Sequence, residues 1–183
     1  DNVTFETEDG VKIGVFGLST PETATKAKPA KIRGVTVPAG KEMFDIAQKQ
    51  VDALKADECD YIVCLGHLGI DDESKGNRSI DLLEAVEGID VLIDGHSHST
   101  IDKVAEAAGE TLKTLPEEDA IVSGETSYII AEKNTTLVTS TGTKLENVGA
   151  VMLLEDGCSA RNIPVEAITL DGSEEIAARA AAI

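Results

Sequence analysis

Tyr61-Ile62-Val63-Cys64-Leu65-Gly66-His67 and Ile89-Asp90-Val91-Leu92-Ile93-Asp94-Gly95-His96-Ser97-His98 decide the reading of this chain. Each is a short, continuously apolar run rich in Val and Ile, the pattern of a strand buried on both faces of a parallel sheet. Each runs out in Gly-His, and together they carry all 3 histidines of the protein. Between them lies a polar loop, residues 71–78, and then a short helix. Ser79 is its expected N-cap, Leu82, Leu83 and Val86 its apolar face, and Gly88 its expected end. Strand, loop, helix and strand in this order make a βαβ unit with a right-handed crossover. Ligands of open α/β sheets gather beyond the carboxyl ends of strands. Adjacent strands would therefore bring the three imidazoles to one edge.

Upstream, residues 2–18 read as a hairpin: Val3-Thr4-Phe5, a turn at Glu8-Asp9-Gly10, then Val11 to Leu18. Residues 24–40, with Pro29, Gly34 and Pro38, read as a surface excursion. A helix is expected over 41–57, with Phe44, Ala47, Val51 and Leu54 as its apolar stripe. Downstream, a short helix near 102–108 is expected. Strands follow at 128–131, 136–139, 148–154 and 163–170, with antiparallel pairing suggested by their spacing and their Asn, Gly and Asp punctuation. The Ala-rich tail 173–183 has helical propensity. The fold class is α/β, a parallel βαβ unit followed by antiparallel strands.

Composition narrows the function. The 183 residues hold 34 acidic and 16 basic side chains, a net charge of -18. Binding of nucleic acid polymers or anionic membranes needs basic patches and is excluded on this ground. A phosphate substrate is not, because a bound metal supplies positive charge locally. The 3 cysteines, Cys59, Cys64 and Cys158, form no CxxC pair and no disulfide framework. No apolar run approaches a membrane span. The start Asp1-Asn2-Val3, without Met, reads as an internal cut.

Neutral imidazole ligates borderline metals such as Zn, Mn, Fe, Co and Ni. His96 and His98 beside a second Gly-His end therefore make His67, His96 and His98 the candidate metal ligands. Gly95 is expected to give the backbone the freedom to turn both rings inward. Cys64 lies three residues before His67, so C-x-x-H ligation is the alternative; its place within the strand favours a core role. Asp94, Asp71 and Asp72 are candidate ligands or partners of ligands, the last two reading more simply as a solvated loop. The bland reading, histidines that bind no metal in a binding or structural module, stands beside these. An amidohydrolase barrel also shows H-x-H past a strand, but requires downstream histidines that this chain lacks.

The segments Gly14 to Thr23, Cys64 to Gly69 and Gly88 to Ser99, with a further match over Thr141 to Gly149, resemble the 5′-nucleotidase branch of the calcineurin-like metallophosphoesterases. The resemblance implies an α/β sandwich and a phosphohydrolase in which two divalent ions bridged by water attack phosphorus in line. It implies that His67 and His96 hold one ion and His98 the other. It also implies nucleoside 5′-monophosphates as substrates, with cyclic nucleotides or sugar nucleotides as alternatives, and an extracellular, periplasmic or cell-surface location. The family's site begins upstream with an Asp-x-His strand end, a Gly-Asp element and a Gly-Asn-His-Asp/Glu element. None of the three occurs upstream of His67, and no further histidine is available. Residues 1–172 thus read as the C-terminal part of the phosphatase domain and 173–183 as the start of an interdomain linker helix. The expected partners are the missing N-terminal half and a C-terminal substrate domain. No catalytic residue is assigned within the chain. Alone it is expected to hold one ion at most, to be inactive, and to be prone to self-association through an exposed sheet edge.

Overall fold

The computed structural model describes residues 1–28, 30–100, 136–154 and 157–167, and the backbone of 112–114 and 129–131. The expected helix near 102–108 and the tail 173–183 lie outside the described residues.

The hairpin forms as its turn residues demand. β1 (Asn2–Glu6) runs antiparallel to β2 (Lys12–Ser19), from Asn2 opposite Phe16 to Glu6 opposite Lys12. Gly10, at φ 84, takes the left-handed position in the turn. After a single turn, α1 (Thr23–Lys26), the chain reaches α2 (Lys41–Ala56). The apolar stripe is as expected at Ala47, Val51 and Leu54, and differs only at its first position. Met43, Ala47, Val51 and Leu54 are buried, while Phe44 packs half-buried at the margin. Helix α2 lies against β1, β2 and β3. It comes so close to β2 that a Cβ on Gly14 would stand 2.7 Å from Leu54 Cδ2.

The βαβ unit is present. β3 (Tyr61–His67) is followed by a turn of 3-10 helix at Asp72–Ser74, then α3 (Ser79–Ala85), then β4 (Val91–Ile93). Arg78, not Ser79, is the N-cap of α3. The Asp81 carboxylate accepts the Arg78 N–H at 3.0 Å, and the Ser79 hydroxyl turns away to donate to the Gly69 carbonyl at 3.1 Å. The helix ends at Val86, which is extended, two residues before Gly88.

β2, β3 and β4 are parallel neighbours, with Ser19 opposite His67 and Leu65 opposite Ile93. The next neighbour adds a fourth parallel strand, which spacing alone did not indicate. β7 (Leu137–Thr139) lies parallel to β4, with Ile93 opposite Thr139. All three β7 residues, Leu137, Val138 and Thr139, are buried, as fits a strand at a sheet centre. The sheet then finishes antiparallel with β6 (Ile129–Ala131) and β5 (Leu112–Thr114), in the order β1-β2-β3-β4-β7-β6-β5. A separate antiparallel pair is formed by β8 (Asn147–Leu154) and β9 (Gly157–Pro164). The second of these begins six residues before the expected 163–170 strand. Ala160 joins the core, with Val151, Leu153 and Cys158 packed against it. The Asn162 amide donates to the Ser140 carbonyl at 3.0 Å, and the Tyr61 hydroxyl to the Leu154 carbonyl at 2.6 Å. These bonds tie the pair to the large sheet. β1 forms an outer edge of that sheet, with Val3 and Phe5 exposed.

Candidate metal centre

Neighbouring parallel strands all run out toward the same edge of their sheet. β2, β3, β4 and β7 finish at Ser19, His67, Ile93 and Thr139, so four loops open at one edge of the sheet. The Thr20 N–H donates to the His67 carbonyl at 2.9 Å, and the Asp94 N–H to the Thr139 carbonyl at 2.9 Å. Each loop is thereby stitched to its neighbour. On the far side, the Ser99 carbonyl accepts from Ser140 Oγ at 2.5 Å and from the Gly142 N–H at 2.9 Å.

Asp94 carries the closest coupling. Its Oδ1 accepts the Leu68 N–H at 2.9 Å and its Oδ2 the Gly69 N–H at 3.1 Å. The carboxylate therefore positions the His67 loop with both of its oxygens. The two loops approach so tightly that glycine is required on the β3 side. A Cβ on Gly66 would sit 2.9 Å from Asp94 Oδ1, and one on Gly69, at φ 74, would sit 3.0 Å from the Ser97 nitrogen.

Within this frame the structure brings two of the three histidines together. His96 Nδ1 lies 3.2 Å from His67 Nε2, with the rings edge to face at 4.9 Å between centroids. Two nitrogens held 2.0–2.1 Å from one tetrahedral ion are separated by about 3.3 Å, so this pair fits one edge of a single coordination shell. His98 is exposed and, among the described residues, has no hydrogen bond or ring contact. Among the described residues no set of three or more His, Cys, Asp or Glu side chains is gathered as a metal site. The pair thus fits part of one ion's shell and no more.

The backbone turn occurs at the histidines themselves. His96 has φ 78 and His98 φ 55, whereas Gly95 is not left-handed. Left-handed non-glycine residues carry strain of about 1 kcal/mol or more, and such strain gathers at functional sites. The freedom expected of Gly95 is therefore not what turns the rings.

Glu22, which motif spacing left without a role, completes the cluster. Its Oε2 lies 3.3 Å from His96 Nε2 and contacts the Lys26 ammonium, while its Oε1 accepts a short hydrogen bond from the buried Ser74 hydroxyl. The Lys26 hydrogen bond, then that of Ser74, holds the Glu22 carboxyl down at about 2, against an opposing push from burial. The only signal for Glu22 in the sequence was its place in the Thr20-Pro21-Glu22-Thr23 loop directly after β2.

The other candidates take structural or solvent roles. Cys64 is fully buried opposite Leu92, and burial pushes its thiol far above the usual range. Its place in the core, within β3 and short of the strand's histidine end, is that of a packing residue. Asp71 and Asp72 are exposed in the loop before α3, and Asp72 reaches Arg78 at 3.5 Å.

Over about half its length the chain is similar to proteins named as nucleotide phosphoesterases. It is 37% identical over 97 residues to the trifunctional nucleotide phosphoesterase protein YfkN of Bacillus subtilis, a match covering 52% of this chain and 6% of that protein. It is 31% identical over 91 residues to a 5′-nucleotidase of Diplobatis ommata, covering 50% of this chain and 14% of that protein. The chain thus spans a small part of the curated relatives it matches. No family model matches. Among solved structures, the calcineurin-like phosphoesterase YfkN of B. subtilis superposes with a TM-score of 0.60 at 20% identity, over 90% of this chain and 51% of that one. A 5′-nucleotidase structure from Staphylococcus aureus gives 0.58 at 22% identity, over 98% of this chain and 32% of that one. At these identities the likeness is one of fold: the chain has the calcineurin-like phosphoesterase fold, and the resemblance read from its histidine segments is found.

Proposed function

We propose that this chain is part of a metal-dependent phosphohydrolase that releases phosphate from nucleoside 5′-monophosphates, and that His67 and His96 hold one divalent ion for it. The observation that carries the reading is the 3.2 Å approach of two imidazole nitrogens at the carboxyl edge of a parallel sheet. The relatives named above, both nucleotide phosphoesterases by name, supply the reaction class. A bound ion would lower the pKa of its water and offset charge on phosphoryl oxygens. The chain's own part is to hold the two rings and, through Asp94, to keep their loops in place.

The same proposal assigns His98 to a second ion, shared with ligands outside residues 1–183. The bridging carboxylate and the remaining histidines are then supplied by a further part of the protein, and residues 1–183 alone are inactive. We place the enzyme outside the cytoplasm, as the resemblance implies. The word trifunctional in the name of the first relative favours a second reading in which more than one kind of nucleotide phosphoester is a substrate.

The test is the metal content of the tag-free 183-residue chain with Mn or Zn, together with phosphate release from AMP. The expected result is one weakly held ion, lost in both His67→Ala and His96→Ala, and no turnover. Sustained metal-dependent turnover would overturn the inactive-alone claim. No binding of either ion would overturn the metal assignment.

A further inference from the structure

We propose that Glu22 is a positioning residue that fixes the ring orientation and the tautomer of His96, leaving His96 Nδ1 as a lone pair facing His67. The proposal deepens the metal-centre reading and rests on it for its purpose, but its geometry is independent of any ion.

A neutral imidazole carries one proton, and the partner at one nitrogen decides where that proton sits. A carboxylate accepts and does not donate, so Glu22 Oε2 at 3.3 Å selects the Nε2–H form of His96. Nδ1 is then unprotonated, and it is Nδ1 that stands 3.2 Å from His67 Nε2. The alternative, an ion shared between Glu22 and His96 Nε2, is opposed by Lys26. Its ammonium already contacts Oε2, the oxygen that faces His96. A second cation there would meet a neutralised carboxylate and a like charge. The other oxygen is held by Ser74, which is 4% exposed and sits in the 3-10 turn after β3. Glu22 is thus anchored by a residue of its own short helix and by the β3–α3 loop before it reaches His96. Anchored carboxylates behind metal-binding histidines orient the ring and raise its basicity, and their loss weakens metal binding 10- to 100-fold as a general magnitude.

The test reads the tautomer directly. Long-range 1H–15N spectra of the metal-free 183-residue chain at about pH 8, where imidazole is neutral, separate Nε2–H from Nδ1–H. Wild type is expected to show His96 as the Nε2–H form. Glu22→Ala is expected to give a mixture and to weaken zinc binding at least about tenfold. Glu22→Gln keeps an acceptor oxygen and is expected to restore most of the tautomer preference. Ser74→Ala, which removes the anchor without removing the acceptor, is expected to fall between. Amide spectra of each variant report whether it is folded. An Nδ1–H form of His96 in wild type would overturn the proposal, as would a folded Glu22→Ala with unchanged tautomer. Zinc binding insensitive to His67→Ala and His96→Ala, with the tautomer dependence intact, would overturn the metal reading while leaving the positioning role standing.

Discussion

Asp94, one residue beyond β4, accepts the Leu68 N–H at 2.9 Å, one residue beyond β3. Parallel strands share no turn, so their ends are free to drift unless something spans them. Here one carboxylate does so, and the two histidines that meet lie on either side of that link. The bond makes a packing detail of the sheet edge into the condition for the His67–His96 approach.

Replacing Asp94 with Ala removes the acceptor for both Leu68 and Gly69. Hydrogen bonds to a charged group contribute about 1.5–3 kcal/mol, and the orphaned donors add to the loss. Asp94→Ala should destabilise the chain by roughly 2–4 kcal/mol in urea unfolding. Asp94→Asn keeps one acceptor and should lose about half as much. A variant as stable as wild type would show that water replaces the carboxylate freely.

Gly69 combines a left-handed φ of 74 with close approach to Ser97 and His96. Gly69→Ala meets both obstacles and should cost about 1–3 kcal/mol. It should also move the His96 ring resonances, because the His96 ring carbon Cδ2 would lie 3.2 Å from the new Cβ. Gly10→Ala, left-handed but with open space around it, isolates the backbone contribution. Equal losses in the two variants would refute the steric part of the argument.

The Arg78–Asp81 pair should give stability that fails in acid. Burial pushes the Asp81 carboxyl up, but the Arg78 guanidinium at 3.0 Å and the N–H groups of Arg78 and Gly76 outweigh it, and the net shift is down. A carboxyl lowered on folding stabilises above its unfolded value, about 3.9, and loses that contribution as pH falls through the folded value below it. Asp81→Asn should therefore destabilise by roughly 1 kcal/mol at pH 7 and progressively less below about pH 4. Urea midpoints of both proteins between these pH values check it; a constant gap would mean the pair is not titrating.

Met43 and Phe44 mark the one position where the buried stripe of α2 differs from the one expected from spacing. Met43 is 1% exposed and Phe44 only half-buried. Met43→Ala should cost about 2–5 kcal/mol. Phe44→Ala should cost less, despite the larger side chain. The reverse order would place Phe44, not Met43, in the core.

The sequence by itself determined the local elements. Period-two and continuous apolar runs marked β1, β2, β3 and β4, helical spacing marked α2, and Gly-His at two strand ends marked the edge where chemistry gathers. These are properties of near neighbours in the chain, set by side-chain periodicity and turn chemistry. Only the tertiary structure decided which strands meet. β7 pairs antiparallel with β6, as its spacing suggested, but its other edge joins β4 in parallel, which buries the strand at the sheet centre. Met43 rather than Phe44 turns inward because the sheet sets the rotation of α2 once the two faces pack. The left-handed backbone falls on His96 and His98, and not on Gly95 where the local pattern placed it. Glu22 reaches His96 across 74 residues because neighbouring parallel strands run out toward one edge. Such contacts follow from shared burial between distant segments, and no local pattern in the chain encodes them.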